Sequence, residues 1–260
     1  MTLLSALSHT AEPTSVLLDR GDIVVDGGIL HIVHDDIPPL EAREADLLLI
    51  ADALEAAGVD VVLIRHDRST PALVVDVRQQ QPALTALAAV CTRDPLYLKA
   101  KGRAPVLVCD AEPLGAGPSW VRLYRPRVTS SGSLRYGPSL GVHLEFWRFG
   151  AKTVRAPRDN DFTRRETPVE DLAFTSVERY GRSWRTIAGM FDPHPLEFTE
   201  DVDIVFSWVD GSSNDFRRQR AAQLSEYVVG EGDDGPARYR HVDELRYALR
   251  SVHMHAPWVR

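Results

Sequence analysis

Cysteine is nearly missing from this chain. There are two, Cys91 and Cys109, among 260 residues. They form neither a disulfide framework nor a metal-ligand spacing, so a reducing, cytoplasmic setting is the expectation. Long apolar runs are missing too. None reaches the roughly 18 residues that would span a bilayer. The opening "MTLLSALSHTAEPTS" lacks the basic start and apolar core of a secretory signal. Peripheral contact with a membrane stays open. Positive charge is in deficit, with 37 acidic against 30 basic residues and a net charge of -7. Such a balance argues against a nucleic acid as partner. No GxxxxGK[ST], GxGxxG after a strand, HExxH or GxSxG pattern occurs.

What remains is the composition of a folded globular protein, 44% hydrophobic and 26% charged, long enough for one large or two medium domains. Residues 21 to 34, "GDIVVDGGILHIVH", read as two strands around Asp26-Gly27-Gly28. From Leu40 to Ala57 the apolar positions recur at helical spacing, and Gly58 stands where a C-terminal cap belongs. "VDVVLIR" and "PALVVDV" predict strands, followed by a helix through "QQPALTALAAV". In "GVHLEFWRF" Val142, Leu144 and Phe146 alternate with His143, Glu145 and Trp147, the period of a half-buried strand. "RAPRDNDFTRRETP" is loop-like, and a helical stretch is expected near 168 to 190. "FDPHPLEF" carries two prolines, which place a junction near residue 195. Residues 1–195 are thus an α+β domain with a mostly antiparallel sheet, its role unassigned.

Beyond the junction, "VDIVFSW" predicts a buried strand. Ser212 or Ser213 then caps a helix with Asp215 in its first turn and Phe216, Leu224, Tyr227 and Val228 as its core stripe. A second helix from about Asp243 to His255 carries Leu245, Ala248, Leu249 and Val252 as its buried stripe, and Pro257 stops it. Strand, helix and helix make a crossover whose returning strand is expected beyond Arg260.

The chemistry-bearing residues cluster in this second part. Asp210-Gly211 alone is ordinary turn chemistry. As a site, Trp208 offers a flat face to a base or sugar, Gly211 lets backbone approach a phosphate, and Asp210 holds a ribose hydroxyl or a metal. The helix that follows aims free N–H groups at the same place. Arg246 and Arg250, spaced i, i+4, put two guanidinium forks on one helical face, an arrangement suited to a diphosphate. Read blandly they are a solvated face paired with Asp243 and Glu244, and Arg217, Arg218 and Arg220 read as solvated. His31, His34, His253 and His255 are assigned to structure or surface.

"DVDIVFSWVDGSS" (201–213) together with "DELRYALRS" and "APWVR" (243–251 and 256–260) resembles the Stealth family of sugar-phosphate transferases. That family includes bacterial capsular and exopolysaccharide phosphotransferases and the animal GlcNAc-1-phosphotransferase. The "EFW" strand and "APRDN" loop resemble the N-terminal region of its actinobacterial members. By this resemblance Trp208, Val209, Asp210 and Gly211 match the first signature block. Asp243, Glu244, Leu245, Arg246, Tyr247, Arg250 and Ser251 match the opening of the second, with His241 and Val242 standing where many members carry an Asp-Asn pair.

The resemblance implies that residues 196–260 open an α/β Rossmann-like catalytic domain behind an accessory domain at 1–195. It implies transfer of a hexose 1-phosphate from a UDP-sugar to a polysaccharide hydroxyl, with release of UMP. Asp210 and Arg246 would be catalytic, and Trp208, Val209, Gly211, Asp243 and Arg250 would bind substrate. A divalent cation, Mg²⁺ by expectation, would have most of its ligands beyond residue 260, leaving this piece inactive alone. A metal-dependent glycosyltransferase and a non-catalytic binding module are the rival readings.

Overall fold

The computed structural model describes residues 11–67, 70–111, 118–194, 202–208, 210, 213–226, 243–256 and 259. They fall into two compact units, residues 1–197 and 198–260.

The first unit begins with α1 (Ala11–Leu18), β1 (Ile23–Asp26), β2 (Ile29–Val33) and α2 (Pro39–Ala56). Next come β3 (Val62–Arg65), β4 (Pro71–Asp76), α3 (Gln80–Val90), β5 (Tyr97–Lys99), β6 (Val106–Leu107), β7 (Trp120–Tyr124), β8 (Arg127–Val128) and β9 (Arg135–Tyr136). It closes with β10 (Val142–Phe149), β11 (Thr153–Arg155), β12 (Glu166–Pro168), β13 (Phe174–Arg179) and β14 (Arg182–Ile187). The β1–β2 turn has Gly27 and Gly28 at φ 57 and 79, which the two-residue hairpin opposite Asp26 and Ile29 requires.

The main sheet is mixed. β10 is its axis, antiparallel to β7 on one edge and parallel to β4 on the other. β4 carries β3, β7 leads to β5 and β6, and β11 and β12 extend from the end of β10. A smaller sheet runs β1-β2-β8-β9, again with one parallel pair, β2 and β8.

One face of the main sheet is the principal core. Leu63, Leu73, Val75, Val121, Leu123, Leu144 and Phe146 pack there with Leu47, Ile50 and Leu54 of α2 and Leu87 and Val90 of α3. The opposite face is also covered. Val62, Ile64, Ala72, Val74 and Trp147 meet Val154, Ala156, Ile187 and Met190 in a second core. β10 is therefore buried on both sides, not half-buried as its alternation predicts, and even His143 and Glu145 are 3% and 1% exposed.

Two further expectations fail. The stretch near 168–190 is no α-helix but the hairpin β13–β14. Its β-branched and aromatic residues favour a strand. Tyr180 and Gly181, at φ 51 and 70, form the two-residue turn. In the second unit residues 202–208 form no strand, and Ile204, Val205 and Phe206 are exposed. Among the described residues no strand pairs with them, and an apolar run without a ladder partner does not hold β geometry.

The second unit's two helices are where the sequence puts them, α4 at Asn214–Glu226 and α5 at Glu244–His255. Ser213 caps α4 through Oγ, 3.5 Å from the Phe216 N–H. The predicted core stripe of α5 is not buried, however, and Leu249 is 50% exposed. Phe216 is half-buried, while the side chains of Leu224, Tyr227 and Val228, and Pro257, lie outside the described residues.

An ion network ties α2 to the sheet. Asp46, 2% exposed, accepts from Arg127 Nη2 and Nη1 at 2.6 and 3.1 Å and from the Arg125 Nε and backbone N–H at 2.7 and 3.0 Å. Asp46→Ala takes the carboxylate from the buried Arg127 guanidinium, leaves Arg125 with Asp94 alone at 3.1 Å, and should cost about 3–5 kcal/mol. Asp52→Ala, which removes an exposed partner of Arg182, should cost less than about 1 kcal/mol. Urea denaturation compares the two, and equal losses would show that the buried network contributes no special stability.

Candidate functional site

A cluster of buried polar side chains lies on the second face of the main sheet. Strand alternation points His143 and Glu145 of β10 to that face, and register sets Arg122 and Trp120 of β7 directly opposite them. His66 follows β3, and Arg158 comes from the loop after β11. Arg158 Nε donates to Glu145 Oε1 at 2.7 Å, and Trp147 Nε1 donates to Oε2 at 2.8 Å. The same arginine lies over the Trp120 ring, 4.2 Å from its centroid. Glu145 is thus a buried carboxylate with a donor on each oxygen, which is what its burial demands.

His143 stands between two guanidiniums. Arg122 Nε donates to its Nε2 at 2.8 Å, and Arg158 Nη2 lies against its Nδ1. A neutral imidazole has one accepting nitrogen, so it satisfies only one of these two donors. Burial, then Arg158 and Arg122, push the His143 pKa from the ordinary 6.5 to about 3. His66 is lowered by burial and Arg158. Its Nδ1 is 3.9 Å from Glu145 Oε1, too far for a hydrogen bond, and is left without a partner. With His66 neutral, that contact is not an ion pair.

His66, His143 and Glu145 bring their ligand atoms within 4.8 Å of one another, a group that could hold a metal ion. Two imidazoles and a carboxylate suit zinc-like ions better than Mg²⁺, which prefers oxygen. Arg158 and Arg122 oppose a cation, the Asp67 and Asp161 carboxylates act the other way, and an ion reaching Glu145 Oε1 must displace Arg158. As folded, the cluster is a buried polar core with one unpartnered imidazole nitrogen. The sequence reading missed it. Its signal was His143-x-Glu145 on a strand face that alternation alone assigns to solvent.

The residues selected from sequence lie in the second unit. Trp208 is exposed and Asp210 half-buried, and the Asp210 carbonyl accepts the Ser213 N–H at 3.1 Å just before α4. Val209 and Gly211 lie outside the described residues. Asp243, left-handed at φ 59, precedes α5 and accepts from the Arg246 and Tyr247 N–H groups at 3.0 and 3.3 Å. Arg246 and Arg250 sit one turn apart on α5, the first exposed and the second half-buried. Residues 227–242, between the two helices, are outside the described residues. Arg218 pairs at 2.9 Å with Asp215 in solvent, as expected. His31 and His34 are buried parts of the first unit.

The fold is that of a mixed α/β chain, and the residues selected from sequence lie in its second unit, not in the polar cluster of the first. The chain is homologous to the exopolysaccharide phosphotransferases. It is 43% identical over 242 residues to exopolysaccharide phosphotransferase CpsY of Mycobacterium tuberculosis, covering 92% of this chain and 45% of that protein. A Nocardia farcinica exopolysaccharide phosphotransferase is 40% identical across 85% of this chain and 38% of its own length. One from Streptomyces coelicolor is 33% identical across 90% of this chain and 26% of its own length. The chain therefore spans less than half the length of these curated relatives. No family model and no solved structure matches it.

The histidines make the first unit acid-sensitive. His143, His66 and His34 all have lowered values, so between pH 3 and 6.5 the unfolded chain binds more protons than the folded one. Stability is then whole above about 6.5 and falls as pH drops. From His143 alone the loss should reach about 3 kcal/mol by pH 4. Paired aspartates such as Asp22 and Asp76, lowered from 3.8, add their loss from about pH 4 downward, at the acid end of that window. In denaturation series at pH 7, 5 and 4, His143→Gln should flatten the slope. A variant as acid-sensitive as the parent would place the proton uptake elsewhere.

Proposed function

We propose that the protein works as an exopolysaccharide phosphotransferase. It moves a hexose 1-phosphate, GlcNAc 1-phosphate for example, from a UDP-sugar to a polysaccharide hydroxyl. The observation that carries this reading is 43% identity across 92% of the chain to a protein of that name. The unmatched remainder is shorter than either unit, so the likeness takes in residues of both. Residues 1–195 serve as the accessory domain, and 196–260 open the Rossmann-like catalytic domain. The two free thiols fit a cytoplasmic setting.

In the reaction the acceptor oxygen attacks the sugar-linked phosphorus and loses its proton to a base. The bond from that phosphorus to the UMP oxygen breaks, and UMP leaves with the electron pair. Arg246 and Arg250 grip the diphosphate and offset charge building on its oxygens. Asp210 holds the nucleotide or its metal, Trp208 stacks on base or sugar, and Asp243 positions the start of α5. Val209 and Gly211 supply the backbone that approaches the phosphates. A divalent cation would supply further neutralisation of the diphosphate, and oxygen donors such as Asp210 suit Mg²⁺ better than the His66–His143–Glu145 group does.

The full-length protein, given UDP-GlcNAc, a second UDP-hexose and a glycan, should release UMP and yield a phosphodiester visible by phosphorus NMR. A phosphorus-free product with UDP released would instead make it a glycosyltransferase. Arg246→Lys removes the bidentate fork but keeps the charge. Because Arg246 is exposed, melting should not change, while turnover should fall by roughly ten- to a hundredfold. Lower melting with unchanged turnover per folded molecule would make Arg246 a structural residue.

A further inference from the structure

The second face of the main sheet has another opening, at the end away from His143. There the parallel strands β4 and β10 present their carboxyl ends, Asp76 and Phe149, to a cavity of about 430 Å³. Val62 and Val74 form its apolar floor. Asp60, Asp76, Arg78 and Gln79 line it from the β3 and β4 side, and Phe174 and Arg185 from the β13–β14 hairpin. We propose that this cavity is a carbohydrate subsite that holds a sugar residue of the polysaccharide acceptor, an assignment that rests on the transferase reading above.

Size is the first argument. Sites for small molecules run from about 300 to 1,000 Å³, so the cavity suits one or two sugar rings. The lining is the second. A pyranose presents apolar C–H faces and a rim of hydroxyls that both donate and accept. Phe174 is a large aromatic left 38% exposed, whereas Trp184 on the partner strand of its hairpin is buried at 3%. The Arg185 guanidinium lies 4.1 Å from the Phe174 centroid and holds the ring in place. An aromatic fixed at a cavity wall offers a flat apolar surface to a C–H face.

Charge is the third argument, and it selects against the other substrate. Asp60 and Asp76 balance Arg78 and Arg185, leaving the cavity formally neutral. The diphosphate of a nucleotide sugar would meet two carboxylates there, and a free cation would meet two guanidiniums. A neutral polyol meets acceptors in the aspartates, donors in the arginines and both in Gln79. Part of this set is already fixed. Arg78 Nε donates to both Asp76 oxygens at 3.0 Å, and its backbone N–H donates to Oδ1 at 2.9 Å. A carboxylate held this way needs little ordering when a hydroxyl arrives.

Saturation-transfer NMR on the 260-residue chain tests the assignment, with maltotetraose, cellotetraose and mannotetraose as probes and UDP-GlcNAc as competitor. At least one tetraose should receive saturation on its C–H protons and keep it when UDP-GlcNAc is added. Phe174→Ala should weaken that binding by about tenfold, the usual effect of removing an aromatic anchor. Asp60→Asn, a change at an exposed position, should weaken it too while leaving the fold intact, and so covers the case in which Phe174→Ala is poorly folded. No transfer to any of the three, transfer undiminished in the Asp60 variant, or displacement by UDP-GlcNAc overturns the subsite. Because binding is read without turnover, its failure leaves UMP release by the full-length protein as a separate question. Failure of UMP release likewise leaves the binding result standing.

Discussion

A carboxylate buried in the middle of a sheet sets the terms for the first unit. Glu145 is 1% exposed on the central strand, and a charge so placed is tolerated only when paired and hydrogen-bonded. Meeting that requirement fixes much else. Arg158 must reach it, so the loop after β11 has to fold back over the sheet rather than run into solvent. That loop is fastened further along, where the Asn160 side chain donates to the Arg65 carbonyl at 2.6 Å. Arg65 in turn donates to the Met190 and Asp192 carbonyls at 2.8 and 2.7 Å, with its guanidinium 4.0 Å from the Phe162 centroid. The second core forms beneath this strap. A sheet face that could have been solvated becomes an interior, at the cost of burying polar groups that each need a partner.

That double burial explains which parts of the fold were legible in the sequence. Helical periodicity with Gly58 after it located α2, and the apolar runs at 62–65 and 71–76 located β3 and β4, because each reports a single buried face. β10 was found as a strand but misread in its setting. Its polar residues His143 and Glu145 look solvent-facing in one dimension, and the arginines that neutralise them come from β7 and from a loop after β11. The hairpin β13–β14 was missed for a local reason. Its turn is Tyr180-Gly181, and tyrosine at positive φ gives a weaker signal than asparagine or aspartate. The His66–His143–Glu145 group joins β10 to the segment after β3, residues far apart in the chain, and so escaped a reading based on spacing.

The second unit illustrates the opposite limit. Its helices α4 and α5 were placed well, since caps and local spacing suffice for a helix. The strand expected before them was not found, because a strand is a relation between segments and its partner lies nowhere among the described residues. The apolar side of α5 follows the same logic. Leu245, Ala248, Leu249 and Val252 are correctly spaced for a buried stripe, yet burial requires a surface to meet, and within this unit Leu249 stays half exposed. The local pattern and the long-range contact are separate facts, and sequence spacing reports only the first.

One side chain joins the two chemical regions of the second sheet face. Trp147 donates its indole N–H to Glu145 on one side and stacks on Phe149 on the other, with centroids 6.5 Å apart and planes 28° from parallel. Phe149 is a wall of the neutral cavity, and Glu145 is the centre of the buried polar cluster. At 1% exposure Trp147 has no room to turn without breaking the hydrogen bond that satisfies a buried carboxylate oxygen. The hydrogen bond to Glu145 therefore holds the indole, and the indole backs Phe149, one of the rings that line the cavity beside Phe174. A polar requirement at one end of β10 is in this way converted into a shaped apolar surface at the other, within the span of a single strand.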